Sequence, residues 1–180
     1  MNPPASEEQV AQVEAYVHAA LPTPFRAFLL ASNGGQPERN EFPIEQASNR
    51  SGVRLFYSIG ISDTDDLIRE YDKFRGRVGI DWLLPVAEDS FGNRIALAIS
   101  GPQYGAVFFW DHELYQPEPE FDGIYQISDR FDQFLSLLSP AVDHDPATAE
   151  GQQQDEDEDG REGWIDPDFL REQQERGNMR

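Results

Sequence analysis

The chain has 180 residues, a mass of 20.4 kDa and a formal charge of −20, with 34 acidic residues against 14 Lys and Arg. That length suits one ordinary domain with a tail. The charge repels phosphate backbones and so disfavours direct DNA or RNA binding, as it does anionic membranes, whereas a basic protein partner would be attracted; the absence of Cys excludes disulfide scaffolds, Cys-ligated zinc and thiol catalysis.

The first residues, Met1 to Glu8, lack the basic and apolar regions of a signal peptide. Ser6 and Gln9 have the spacing of a capping box, and Val10, Val13, Val17 and Leu21 follow at helical intervals. Thr23-Pro24 opens a second helix with Phe25, Phe28 and Leu29 on one face, and Asn33-Gly34-Gly35 stops it with residues that tolerate positive φ. Val53–Ile59 reads as a strand. Ser62 is placed to cap a third helix carrying Leu67, Ile68, Tyr71 and Phe74, with Arg75-Gly76 at its end. In this reading Asp63, Asp65 and Asp66 lie in that helix's first turn, where they complement the dipole and are not metal ligands.

Leu83–Ala87 is a short strand, Asp89–Asn93 a turn, and Ile95, Leu97 and Ile99 alternate along a returning strand. After a turn at Gly101–Gly105, the apolar run Ala106–Trp110 suits a central strand covered on both faces. It is also far shorter than the roughly 18 residues of a membrane span. Ser128 caps a last helix with Phe131, Phe134, Leu135 and Leu138, and Pro140 forbids its continuation. These elements predict an α+β domain with a mainly antiparallel sheet of about five strands and helices packed against it.

Composition changes at Ser139. Residues 1–138 hold 21 acidic and 10 basic residues, and residues 139–180 hold 13 and 4. We assign 1–138 to the folded domain, 139–163 to a disordered acidic linker with too little apolar surface to offset its ordering entropy, and 164–180 to a tail with a short helix over 168–176. Asp155–Gly160 with Asp166 meets the spacing of a calcium loop, but Glu162 occupies an apolar position and no entering helix precedes it, so a solvated acidic run is the reading. Trp164 is a candidate exposed anchor, and Trp110 a core residue.

Three stretches together resemble the SUKH superfamily, shared by a yeast cell-wall-synthesis regulator and many bacterial immunity proteins. They are Leu21-Pro22 with Phe25, Phe28-Leu29 and Asn33-Gly34-Gly35; Leu84-Pro85-Val86-Ala87 with Asp89 and Gly92-Asn93; and Gly105 and Val107 with Phe109-Trp110-Asp111-His112-Glu113. The resemblance covers roughly residues 6–138. It implies an α+β fold and a binding role, because bacterial members typically neutralise secreted toxins, often nucleases, by binding the toxin domain. Such a toxin holds phosphates in a basic cleft, which an acidic inhibitor complements.

The expectation is therefore a non-enzymatic, cytoplasmic immunity protein with a basic toxin domain as partner, needing no cofactor or metal. Its contact surface is placed at Glu88 and Asp89, at Asp111, His112 and Glu113, and at Trp82, which lies at a strand entrance. Two other readings stand beside it. One is a regulatory scaffold that docks through the acidic tail. The other is a hydrolase with His112 as general base, disfavoured because neighbours on a strand, such as Asp111 and His112, point to opposite faces. His18 and His144 lie far from it in sequence, in a helix and in the linker, which does not suggest a metal cluster.

Overall fold

The structure is a computed structural model, and it describes residues 2–45, 49–114 and 123–141. Its elements follow the chain as α1 (Glu7–Val17), α2 (Thr23–Ser32), β1 (Glu41–Ile44), β2 (Asn49–Phe56), α3 (Leu67–Val78), β3 (Leu83–Asp89), β4 (Arg94–Ala98), β5 (Val107–Trp110), β6 (Ile124–Ser128) and α4 (Phe131–Leu137). The described residues fall within one unit that ends at Val142. The acidic run 155–159, the calcium-loop pattern, His144, Trp164 and the tail helix lie outside the described residues.

The capping box opens α1: the Gln9 amide donates to Ser6 Oγ at 3.1 Å, and the Ser6 amide to Gln9 Oε1 at 2.8 Å. Val10, Val13 and Val17 are buried. Asn33 ends α2 in the left-handed conformation. Its buried amide also exchanges two hydrogen bonds with the Ile59 backbone, at 2.9 and 3.1 Å, and so staples α2 to the chain beyond β2. Gly34 follows at φ +76°, and a Cβ there would stand 2.6 Å from the Phe56 carbonyl oxygen and closer still to that of Tyr57. Gly34→Ala is therefore expected to cost about 2 kcal/mol in a urea unfolding titration.

Three helix boundaries differ from the sequence expectation. Asp66, not Ser62, caps α3: one carboxylate oxygen accepts from the Ile68 and Arg69 amides at 3.1 and 3.2 Å, and the other from the Gly60 amide at 3.2 Å. A bridge between Ser58 and Asp66 accompanies that choice, while Ser62 hydrogen-bonds Thr64. Asp63 and Asp65 thus precede the helix. The helix also runs past Gly76 to Val78, with Gly79 as its C-cap, because Phe74 and Val78 continue its buried stripe. At α4 the cap position is Arg130, and Ser128 Oγ donates to the Arg130 carbonyl at 2.9 Å.

The sheet has six antiparallel strands in the order β1-β2-β3-β4-β5-β6, more than the expected five or so. The additions to the strands read from sequence are the short outer ones. Pro43 sits in β1, where an edge strand tolerates its missing donor, and β6 is half-buried along its length. The edges approach each other as the sheet curls. Ser139, assigned above to the linker, exchanges two hydrogen bonds with Glu41 at 2.9 and 3.0 Å and so fastens the chain after α4 to β1.

Alternation along the strands builds two cores. On one face Ile95, Leu97, Val107 and Phe109 meet the rings of Phe25, Phe42, Phe131 and Phe134. On the other face Phe74 and Val78 of α3 cover Leu83, Ala96, Ala98, Phe108 and Trp110. The run Ala106–Trp110 is buried throughout; its strand β5 is paired on both sides but stands next to the edge strand β6, not at the centre of the sheet as expected, and Trp110 is a core residue as its sequence context suggested.

Candidate functional site

The β3–β4 turn is built around one carboxylate. Asp89 is buried, and its Oδ1 accepts from the amides of Phe91 at 2.8 Å and Asn93 at 2.9 Å. Its Oδ2 accepts from Asn93 Nδ2 at 2.7 Å and Ser51 Oγ at 3.1 Å. With Gly92 at φ +98° completing the turn, the backbone is held on both sides of Phe91. The Phe91 ring is left 80% exposed.

The turn after β5 is tied to this one. Asp111 Oδ1 accepts from the amides of Glu113 and Leu114, at 3.0 and 3.3 Å. Asn93 Oδ1 accepts from the His112 amide at 3.1 Å and faces His112 Nδ1 at 2.8 Å. Arg94 pairs with Trp110 in the ladder, so both turns leave the sheet at the same end. Asn93 thus links Asp89 to His112 and holds Phe91, Glu113 and Leu114 as one rim. Beneath the rim lies a cleft of about 280 Å³ between the β1–β2 side and the ends of β5 and β6.

The structure therefore brings Asp89, Asp111, His112 and Glu113 together and separates them from the other two residues expected at the surface. Glu88 points into an internal network: it accepts from Tyr57 Oη at 2.9 Å, meets Arg94 at 3.3 Å and pairs with Arg54. Arg94 continues to Glu70 of α3 at 3.4 Å, and Glu70 also pairs with Lys73. This chain of charges fastens α3 to β2, β3 and β4. Trp82 sits just before the opposite end of β3, about 23 Å along the chain from Asp89 at some 3.3 Å per residue. Its ring packs edge-on against Phe108 at 5.7 Å. The signal that sequence reading passed over is Phe91, an aromatic residue in the middle of a polar turn.

Burial pushes the Tyr57 phenol well above its ordinary value, against an opposing pull from Arg94. The folded protein thus holds that proton more tightly than the unfolded chain does. Tyr57 contributes this stability fully below the unfolded value near 10, and the contribution is lost as pH rises beyond it. Urea midpoints for the wild type are expected to fall between about pH 8 and about pH 11. In Tyr57→Phe the fall is shallower, from a lower starting point because Glu88 loses a donor.

At the rim the Asp111 carboxylate faces its own turn's amides and the His112 ring faces an amide oxygen. The pair that a hydrolase reading needs, an imidazole oriented by a neighbouring carboxylate, is not what these contacts build. Among the described residues no group of three or more His, Asp or Glu is placed to hold a metal ion, and no helix is long and apolar enough to cross a membrane.

The model of the SMI1 / KNR4 family (SUKH-1) matches residues 4–137. The chain belongs to the SUKH-1 family. The match takes in every described element, from α1 to the end of α4. The SPbeta prophage-derived uncharacterized protein YokK of Bacillus subtilis (strain 168) is similar, at 24% identity over 158 residues that cover 78% of each chain. In this SUKH-1 domain the three motif stretches have distinct structural duties. The first forms α2 and its Asn33 staple, the second forms β3 and the turn around Asp89, and the third forms β5 and the turn carrying His112.

Proposed function

We propose that this SUKH-1 domain is a non-enzymatic, immunity-type binding protein that covers the active face of a toxin domain in the cytoplasm. The observation that carries the reading is Phe91: a large ring, 80% exposed, on a turn that a buried carboxylate holds rigid. An aromatic side chain fixed in water is a pre-organised anchor, the kind that dominates interface energetics. Leu114, 54% exposed, lies beside it across the cleft, and Glu113 and Asp111 add negative charge to the rim. The −20 charge of the chain steers a basic partner toward any of its faces, and the apolar rim selects this one.

Co-expression with the toxin domain encoded beside it is the test. Protection of the cells and co-purification of the two chains are the expected results. Cell death with no recovered complex, for each toxin domain of the same genome, would refute the proposal.

A further inference from the structure

Resting on that reading, we infer that the cleft under the rim is a socket for one long cationic side chain, Arg or Lys, of the partner. At about 280 Å³ it lies below the range of roughly 300–1,000 Å³ typical of small-molecule sites, which suits a single side chain. Over a floor at the buried Phe109, its walls are Tyr125, Leu114 and Phe91, aromatic and aliphatic surfaces that take a methylene stem and stack against a guanidinium.

The charges in the cleft set the sign of the occupant. Two carboxylates, Asp89 and Asp111, line it against one guanidinium, Arg50. Arg50 is already held by Glu41 at 3.4 Å and Ser139 Oγ at 3.0 Å. Both oxygens of Asp89 are taken up by the turn and Ser51. The turn bonds of Asp111, by contrast, are made through Oδ1. Asp111 is therefore the counter-charge for the incoming cation, half-buried at the wall where water screens it less than on the open surface. An anionic side chain would meet both carboxylates there, inside a chain of −20 charge.

The socket is testable without a toxin. Nitrogen-15-labelled full-length protein is titrated with Nα-acetyl-argininamide, and in parallel with the neutral isostere Nα-acetyl-citrullinamide. Saturable shifts are expected at the amides of Phe91, Asn93, His112 and Leu114 with the arginine probe. The citrulline probe is expected to bind at least about tenfold more weakly, as is the arginine probe to Asp111→Asn, which keeps an oxygen for the two turn amides. Equal binding of the two probes, or shifts scattered away from the rim, would overturn the inference. So would an undiminished response in Asp111→Asn. A toxin that binds while the arginine probe does not removes the socket and leaves the proposed function standing. A responsive socket in a protein that protects against no toxin does the reverse.

Discussion

Asp89→Ala is expected to lower the free energy of unfolding by about 3 kcal/mol, the largest stability loss of any single change at the rim. The carboxylate is 3% exposed and accepts from two amides, a side-chain amide and a hydroxyl. Hydrogen bonds to a charged group are worth roughly 1.5–3 kcal/mol each, but bonds sharing one carboxylate do not add, and water can reach some donors of an exposed turn. The total therefore settles near the cost of one to two such bonds. Asp89→Asn keeps the shape but turns a donor toward donors, so an intermediate loss of about 1–2 kcal/mol is expected. Urea titrations followed by the fluorescence of Trp82 and Trp110 measure both. A loss below about 1 kcal/mol for Asp89→Ala would show that the turn holds itself without the carboxylate.

Phe91→Ala is expected to act in the opposite way, leaving the fold alone and removing the binding. A ring 80% exposed contributes little to stability, so the unfolding free energy should stay within about 0.5 kcal/mol of wild type. At an interface the same ring is an anchor whose truncation costs at least about 2 kcal/mol, or about 30-fold in affinity. The pair of variants separates two roles that the proposed function places only two residues apart: Asp89 as the builder of the platform and Phe91 as the contact. Binding of Phe91→Ala to the toxin domain with unchanged affinity would move the interface elsewhere on the molecule.

The local signals of this fold were readable where they were short-range. Ser6 with Gln9 announced the start of α1, the apolar run 106–110 announced a strand covered on both faces, and Gly92-Asn93 marked a turn. What escaped depended on distant partners. β1 is a short strand containing Pro43, and it forms because Ser139 and β2 lie on either side of it. Ser62 and Asp66 are both acceptable caps, and contacts with the preceding loop, the bridge to Ser58 and the Gly60 amide, select Asp66.

The site was legible in part for the same reason. The sequence reading assigns both polar turns to one contact surface, but their meeting through Asn93 is a contact across the sheet that no local pattern shows. Glu88 and Asp89 look alike in sequence as exposed acids. In the structure one is bound to Tyr57 and two arginines and the other to its own turn. Trp82 is close to them in number but separated by the length of β3. Phe91 lies in a polar turn where no apolar periodicity marks it, and its exposure is a property of the folded turn that its own sequence does not show.

The central claim is that this molecule acts by covering another protein through the Phe91 rim. Titration calorimetry of the full-length chain into its purified cognate toxin domain, run beside an assay of the toxin's activity, addresses it most directly. The account predicts saturable heat at one-to-one stoichiometry, toxin inhibition over the same concentration range, and weakening of both by Phe91→Ala. Inhibition without complex formation, or turnover of the toxin's substrate or product by this chain alone, would contradict it.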